Sequence, residues 1–402
     1  MIGNNLKKKS LLRHCPICEN KEGEIFHNQR FLLPENHVLP HEYDVVHCEK
    51  CGFVFADTSA DQKTYNIFYQ EMSKYEDVKT ASGGGENTYD LIRLNEAARD
   101  IEKLIPFKSS SILDIGCGNG GLLLELKKLG FTNLTGLDPS PVCVENILSK
   151  GIDAYLGGIT NENNNLNKKF DFIIFSHVFE HLVDLKSAVK NTRALLNTEG
   201  LVYVETPDAS RYQDFYVVPF YYFDTEHINH FCSESLINLF STQGFDFVIS
   251  KQKVMRVSEI IDYPAVFSCF KKKESGFFSA YNNNGQTKKS VLNHIVQSNN
   301  VLNSPEIEKL ANDKTPVIVF GAGNYTLRLL ETTALGKCNI VAFVDNDSKK
   351  HGNIINGVKI NGKDFLLKND ALIIICSALF SSEIEQEIKS MCIKNQTLKI
   401  NT

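Results

Sequence analysis

Short apolar runs alternate with stretches of mixed polarity through the middle of the chain. The runs that predict buried strands lie at residues 112–115, 134–138, 170–177 and 201–207. After the first run, leucines recur at helical spacing, at Leu122, Leu123, Leu126 and Leu129. Strands that alternate with helices predict an α/β fold with a doubly wound, mostly parallel sheet.

A second, smaller set of strand and helix signals follows near the end of the chain. Its apolar runs lie at residues 316–320, 340–344 and 372–376. The first run leads into Gly321-Ala322-Gly323, and the second ends in an acid, Asp345. The pattern predicts a Rossmann-like domain at 311–402. Because Thr326 occupies the place of a third glycine, the evidence that this domain binds a nucleotide of its own is weak.

Between and before these sets, the pattern predicts helices and loops. Residues 88–104 form an amphipathic helix with apolar positions at Leu91, Leu94, Ala98, Ile101 and Leu104. Residues 232–240 form a short helix with Ser233 as N-cap. Residues 208–231 carry dense aromatics and are interpreted as a pocket wall, and the polar segment 271–290 as an exposed loop. The glycine loop at 82–85 fits two interpretations equally well, a lid that closes over the substrate and a plain linker.

Length and charge set modest limits on function. A chain of 402 residues holds two or three domains, and its formal net charge of −5 includes no dominant basic stripe. Nucleic acid and anionic membranes are therefore not expected partners. No apolar run reaches the length of about 18 residues that a membrane span needs. Because the basic N-terminus lacks the core of a signal peptide, we expect a cytoplasmic protein.

Four of the eleven cysteines form two closely spaced pairs. Cys15 and Cys18 make the first Cys-x-x-Cys pair, and Cys48 and Cys51 the second, with 29 residues between the pairs. Two such pairs are typical of a closed, structural zinc site. His14 and His47 flank the pairs and are possible alternative ligands. The other seven cysteines are scattered and are expected to behave as small apolar residues.

The segment Ile112-Leu113-Asp114-Ile115-Gly116-Cys117-Gly118-Asn119-Gly120 carries the clearest chemical signal. Its glycines allow a tight turn against which a ligand can lie. The spacing also fits a dinucleotide fingerprint, but the Asp114 carboxylate would repel a pyrophosphate and attract a cationic amino acid. The segment resembles motif I of class I S-adenosylmethionine (SAM) methyltransferases.

Three further groups are candidates for the chemistry. Asp138 ends the next strand, where an acid can accept the hydroxyls of a ribose, although an Asp before Pro139 is also a common helix cap. His177 ends the third strand in a segment similar to motif IV and is expected to line the cofactor pocket, whereas His181 could equally be a packing residue. Glu226 and His227 follow the aromatic segment and are a candidate acid–base pair.

The order of these features resembles the nucleotide-sugar C-methyltransferase family over nearly the whole chain. That resemblance implies SAM and structural Zn²⁺ as cofactors and a 4-keto nucleotide sugar as substrate. A base removes the proton beside the ketone, and the enolate carbon attacks the methyl group. Carried onto this chain, the resemblance implies Glu226, His227 and Tyr75 as catalytic residues. It implies that SAM is bound by Asp114, Gly116, Gly118, Asn119, Gly120, Asp138, Pro139 and His177.

The predicted boundaries follow from these assignments: a zinc module at 1–60, a methyltransferase domain at 61–250, a linker with a helical connection at 251–310, and the Rossmann-like domain at 311–402. Thr225 stands where the family usually has a further histidine. Three alternatives therefore stay open: a sugar O-methyltransferase, a zinc-containing nucleic-acid methyltransferase, and a non-catalytic SAM-fold protein. The sequence leaves the oligomeric state undetermined.

Overall fold

The structure is a computed structural model that describes residues 6–34, 36–71, 87–160, 166–273, 280–302, 304–377 and 380–400. Tyr75 and the glycine loop at 82–85 lie outside these residues. The chain divides into two compact units. The first comprises Met1–Asn28, Asn36–Phe215 and Tyr222–Leu292, and the second Gln29–Glu35, Tyr216–Tyr221 and Asn293–Thr402. None of the described helices has the length and apolar character needed to cross a membrane.

The first unit begins with a five-stranded sheet in the order β1-β2-β3-β4-β10. Its strands are β1 (Lys8–Ser10), β2 (Glu22–Arg30), β3 (Glu42–His47), β4 (Val54–Asp57) and β10 (Asn229–His230). The two cysteine pairs occupy the connections from β1 to β2 and from β3 to β4. Helix α1 (Gln62–Glu71) follows. Because β10 comes from residues 229–230 and pairs antiparallel with β4, this sheet extends beyond the predicted module at 1–60.

The larger sheet of the first unit has seven strands in the order β11-β12-β9-β8-β5-β6-β7. The strands are β5 (Ile112–Ile115), β6 (Leu134–Asp138), β7 (Asp153–Leu156), β8 (Phe170–Ser176), β9 (Leu196–Pro207), β11 (Phe245–Arg256) and β12 (Asp262–Lys272). The five strands from β5 to β9 are parallel, whereas β11 and β12 are antiparallel. The chain runs outward from β5 through β6 and β7 and then returns to β8 on the other side of β5. In doubly wound sheets, ligands bind at this switch point, outside the carboxyl ends of the strands.

The α-helices of this region are α2 (Thr88–Glu102), α3 (Gly121–Lys128), α4 (Pro141–Ser149), α5 (Leu185–Leu195) and α6 (Ser233–Thr242). Short 3₁₀ helices span Phe179–His181 and Ala209–Asp214. Helix α2 confirms the predicted amphipathic helix and buries Leu94, Ala98 and Ile101, but Leu91 is 41% exposed. The apolar strands pack between these helices because both faces of a parallel sheet are covered.

Two predictions from the sequence are wrong in this unit. The N-cap of α6 is Cys232, not Ser233, because Cys232 has the extended backbone and its N–H donates to Ser235 Oγ at 2.9 Å. Residues 262–272, which were assigned to a linker, form β12, and this strand pairs with β9 inside the sheet. Residues 263–270 are all buried and, apart from Ser268, apolar, which is the character of a central strand.

The second unit has its own six-stranded sheet in the order β15-β16-β14-β13-β17-β18. Its strands are β13 (Pro316–Phe320), β14 (Asn339–Val344), β15 (Ile354–Ile355), β16 (Val358–Asn361), β17 (Leu372–Ile375) and β18 (Thr397–Lys399). The last α-helices of the chain are α7 (Gln286–Leu302), α8 (Pro305–Asp313), α9 (Asn324–Thr332) and α10 (Ser381–Ser390), with 3₁₀ helices at Ala334–Lys337, Ser348–Lys350 and Lys363–Lys368. The three predicted strands are all present, and they lie side by side and parallel.

Candidate active site and cysteine cluster

The glycine turn after β5 has the conformation that the sequence predicts. Gly116, Gly118 and Gly120 all have positive φ, at 68°, 52° and 78°. A Cβ atom on Gly116 would lie 2.6 Å from Cγ2 of Val178, so this glycine is needed for the close approach of the segment after β8. A Cβ on Gly118 would meet nothing within 4 Å. The turn is therefore packed on one side and open at Gly118, where a ligand can lie against the backbone.

Asp138 ends β6 and holds the glycine turn in place. Its Oδ2 accepts the N–H of Gly118 at 2.8 Å, and its Oδ1 accepts the N–H of Ser140 at 2.9 Å. Each carboxylate oxygen has a second lone pair, so the group can also accept hydroxyls of a ribose. Burial raises the pKa of Asp138 to about 6.

Asp114 lies in β5, two residues before the turn, and is also buried. Burial, together with the charge of Asp138, raises the pKa of Asp114 to about 8. Two acids in one dry site favour a cationic ligand, because a cation would stabilise both carboxylates in their charged form.

The other predicted cofactor residues have different surroundings. Pro139 follows β6 and is half-buried. Asn119 is buried, and its Oδ1 accepts from Nδ2 of Asn146 in α4 at 2.8 Å. His177 has a φ of 58°, and its ring is directed between two buried carboxylates, Glu180 and Glu205. The contacts of Asn119 and His177 with protein groups were not predicted.

A second group of polar side chains lies on the segments that follow β8 and precede β10. Glu180, His181 and His227 each offer one donor atom, and these atoms all lie within 4.8 Å of one another. The rings of His181 and His227 have centroids 4.9 Å apart. Asp224 fixes the backbone that carries His227, because its Oδ1 accepts the N–H groups of both Glu226 and His227 at 2.8 Å. His227 of the predicted pair thus lies beside Glu180 and His181 of the motif IV segment.

Hydrogen bonds indicate which ring nitrogen of His181 carries the hydrogen. Its Nδ1 lies 3.1 Å from the carbonyl oxygen of Glu226, and a carbonyl can only accept. Nδ1 therefore carries the hydrogen, and Nε2 carries the lone pair. The hydroxyl of Tyr69 lies 3.0 Å from the same Nδ1 and 3.4 Å from Oε2 of Glu226. Burial lowers the pKa of His181, so this imidazole is neutral near pH 7.

Sequence reasoning did not assign Glu180, His181 and Tyr69 to this group. The only signal was indirect: Glu180 and His181 belong to the motif IV segment, and Tyr69 lies close to the Tyr75 that the resemblance implied. A carboxylate and two imidazoles are also a donor set that can hold a divalent metal.

The aromatic segment at 208–231 is not a pocket wall at Tyr212 and Tyr222. Their rings stack with centroids 3.7 Å apart, and both residues are only 1% exposed. The hydroxyl of Tyr222 donates to the carbonyl of Phe215. These aromatics are packed core, because their hydroxyls find partners inside the protein and no longer need water.

The four paired cysteines form one buried cluster, as the sequence predicts. Their Sγ atoms all lie within 4.8 Å of one another, with 3.5 Å between Cys15 and Cys51 and 3.4 Å between Cys18 and Cys48. None of the cysteines in the described ranges forms a disulfide. Hydrogen bonds from the neighbouring thiols lower the pKa of Cys48. His47 is turned away from the cluster and bonds Glu24 at 2.8 Å.

Comparisons with known family models match two separate regions of the chain. A model of the methyltransferase domain family matches residues 86–250, and one described as C2185-like, N-terminal, matches residues 313–399. The chain is similar to a ubiquinone biosynthesis O-methyltransferase of Methylobacterium nodulans, with 32% identity over 113 residues that cover 27% of this chain and 45% of the relative. It is also similar to EEF1A lysine methyltransferase 2 of Danio rerio, with 33% identity over 138 residues that cover 31% and 56%.

Among solved structures, the chain is similar to a putative SAM-dependent methyltransferase of Listeria monocytogenes. The identity is 13% and the TM-score 0.37, over 44% of this chain and all of that one. The chain spans about half the length of the two curated relatives named above. The family match covers the glycine turn, Asp138 and the motif IV segment. Residues 86–250 therefore belong to a class I SAM-dependent methyltransferase domain.

Proposed function

We propose that this protein transfers the methyl group of SAM to a nucleotide-linked sugar, and that His227 removes the proton that activates the acceptor. One observation carries the proposal: His227, His181 and Glu180 converge on a segment that itself touches the glycine turn through Val178. An acid–base group beside the cofactor turn is what methyl transfer to a weak nucleophile requires.

The reaction balances without any further reactant. His227 takes the proton from the carbon beside the ketone, and the enolate carbon forms a bond to the methyl group as the carbon–sulfur bond of SAM breaks. S-adenosylhomocysteine leaves, and the proton stays on the imidazole until it is lost to water. Glu226 orients the sugar or the base. Tyr75, which the resemblance implied as the donor to the enolate oxygen, lies outside the described residues, so Tyr69 is the described hydroxyl nearest to this role.

The proposal of a sugar substrate rests on the order of the domains along the chain. A cysteine cluster, a methyltransferase domain and a Rossmann-like unit follow one another as in the nucleotide-sugar C-methyltransferases. O-methylation of a sugar is the second candidate, because several relatives of the methyltransferase domain are named O-methyltransferases. The two candidates differ in the atom that loses the proton.

We further propose that the cysteine cluster holds one structural Zn²⁺. In a tetrahedron with Zn–S bonds of about 2.3 Å, neighbouring sulfurs are about 3.8 Å apart. The observed separations of 3.4 and 3.5 Å are close to that value. Four thiolates close the coordination shell, so the metal contributes stability and takes no part in methyl transfer.

The identity of the acceptor is best tested by ligand-dependent stability. A panel of nucleotide sugars, keto and non-keto, is added with S-adenosylhomocysteine, and the melting temperature is recorded. A ligand of the native state must raise it by mass action, by about 2.7 kcal/mol at 100 times its Kd. If nucleotide sugars give no rise while a phenol or a peptide does, the proposed substrate class is wrong.

Replacing Asp138 with alanine is expected to weaken SAM binding by on the order of 1–3 kcal/mol, the loss on leaving buried hydrogen-bonding groups unpaired. Asp138→Asn keeps one carbonyl oxygen and should weaken binding less. Calorimetry measures both variants against Asp153→Ala, whose exposed carboxylate lies at the start of β7. Wild-type affinity in Asp138→Ala would mean that the ribose is bound elsewhere.

SAM binding at pH 7 is expected to release about one proton, because Asp114 has a pKa of about 8 before a cation binds and is mostly protonated. Since binding favours the carboxylate, affinity rises with pH up to about 8 and levels off above it. Calorimetry in buffers of different ionisation enthalpy counts the protons. Asp114→Asn should remove the release, and an unchanged count in that variant would assign the proton to another group.

A further inference from the structure

His177 occupies an unusual position at the carboxyl end of β8. Its φ of 58° is in the left-handed region, which few residues other than glycine adopt and in which asparagine, aspartate and histidine are the commonest of those few. Backbone strain of this kind persists only where the surroundings fix it. Here the backbone places the imidazole between two buried acids. The contact with these two acids therefore needs an explanation of its own.

The imidazole bridges two carboxylates that come from different elements. Nδ1 lies 3.0 Å from Oε1 of Glu180, in the 3₁₀ helix after β8, and Nε2 lies 3.5 Å from Oε1 of Glu205, in β9. Both glutamates are at most 1% exposed. The contact with Glu180 is a hydrogen bond, whereas the contact with Glu205 is an ion pair, because neither Nε2 of His177 nor Oε1 of Glu205 has a hydrogen-bond partner among the described residues. Burial alone would lower the pKa of His177, but the two carboxylates outweigh burial and raise the pKa. A protonated ring donates to Glu180 and attracts the charge of Glu205 at the longer distance.

Glu205 is anchored on its other side. Its Oε2 accepts from Nζ of Lys253, in β11, at 2.8 Å and from the hydroxyl of Tyr203. Lys253 also lies 3.6 Å from Asp100 in α2. A buried carboxylate without a cation is strongly destabilising, and this one has two cations. Glu205 is therefore held in place on its other side, and His177 lies between Glu205 and Glu180.

Only one of the two carboxylate oxygens of Glu180 has a hydrogen-bond partner among the described residues. Its Oε1 faces His177, whereas its Oε2 is buried and has no hydrogen-bond partner among the described residues. The side chain lies within 4.8 Å of donor atoms of His181 and His227. Burial raises the pKa of Glu180, but the bond from His177 outweighs it, so the pKa is lowered and the group stays charged.

We propose that His177 is a positioning residue that lies between Glu180 and Glu205 and fixes the Glu180 carboxylate beside His181 and His227. The carboxylate then stabilises the imidazolium that forms when the acceptor loses its proton. This last step rests on the proposed function, whereas the bridge itself does not. The expectation that His177 lines the cofactor pocket stays a prediction, since its side chain is 20% exposed.

The bridge is tested by nuclear magnetic resonance on protein with ¹⁵N-labelled imidazoles. The variant is His177→Asn, because asparagine accepts the left-handed backbone and removes the cation. The His177 signals, assigned by their loss in the variant, should titrate at a pH above 6.5, the ordinary pKa of histidine, with both ring nitrogens protonated below that point. The signals of His181 and His227 should shift in His177→Asn and in Glu180→Gln, and they should not shift in His41→Asn, a change at an exposed histidine.

Two further measurements separate positioning from other roles. Melting curves establish that each variant is folded, and Glu180→Gln replaces His177→Asn if the latter is not. Calorimetry with SAM should give wild-type affinity in both variants. Once an acceptor is identified, the turnover rate should fall about 10- to 100-fold, the size usual for groups that orient another side chain, with an unchanged KM for SAM.

Several results would overturn the proposal. A His177 ring that titrates no higher than an ordinary histidine, or His181 and His227 signals that stay in place in His177→Asn, would exclude the bridge. A tenfold loss of SAM affinity without such shifts would return His177 to the cofactor pocket. Broadening of the His181 and His227 signals by stoichiometric Mn²⁺ would identify a metal site instead. If the bridge is observed and no nucleotide sugar is methylated, the proposed function fails and the positioning role stands.

Discussion

In a His227→Asn protein, methyl transfer is expected to fall by about 100- to 10,000-fold, the usual contribution of a general base. An imidazole is the side chain that serves most often as a general base. SAM should bind as tightly as to the wild type, because His227 faces His181 and Glu180 and the glycine turn makes its own contacts.

The decisive measurement follows one hydrogen of the substrate. If the acceptor is a keto-sugar, wild-type enzyme with S-adenosylhomocysteine should exchange the hydrogen beside the ketone with heavy water. His227→Asn should abolish the exchange, and His41→Asn should leave it unchanged. Exchange at the wild-type rate in His227→Asn would move the base to His181 or Tyr69. Methylation of a hydroxyl without any carbon-bound exchange would instead establish the O-methyl alternative.

Removal of zinc from the cysteine cluster is expected to have the largest effect on stability. Structural zinc contributes on the order of 10 kcal/mol to the folding of small zinc domains at pH 7. Here the four cysteines belong to the same apolar core as Phe53, Phe55 and Phe231. We therefore expect Cys48→Ser to lose the metal and to melt at a much lower temperature.

Metal analysis and thermal melts check this expectation. Cys269→Ser is the matched control, because Cys269 is fully buried in β12 and far in sequence from the pairs. Its unpaired hydroxyl should cost about 1–3 kcal/mol and leave the zinc content at one ion per chain. Full stability and unchanged metal content in Cys48→Ser would contradict the four-cysteine site.

The features that the sequence predicted best are those that few consecutive residues determine. The turn at Gly116 and Gly118 and the cysteine pairs have local patterns, so their geometry follows from spacing. Strand β12 was not predicted, since the Lys271–Lys273 run at its end suggested an exposed loop. Leu91 fits the helical period of α2 but is exposed, because periodicity does not tell which part of an apolar face is covered.

The group around His227 could be predicted only in part. Glu226 and His227 were chosen for their chemistry, whereas Glu180 and His181 lie more than 40 positions earlier in the chain. Their proximity depends on β10, which brings residues 226–230 to the N-terminal sheet, and on the hydrogen bond from the Ile228 N–H to the Glu180 carbonyl. Tertiary contacts of this kind leave no periodic signal in the sequence.

The short strand β10 also sets an order of events during synthesis. Asn229 and His230 pair with Phe55 and Val54, and the N–H of Ala56 donates to the carbonyl of Ile228 at 2.9 Å. The sheet that begins the chain therefore gains its last strand only after residue 230 has left the ribosome. Until then β4 is an exposed edge, which is a site for wrong pairing with another chain. A pause in translation before this point would lengthen the time for which the nascent chain is open to aggregation.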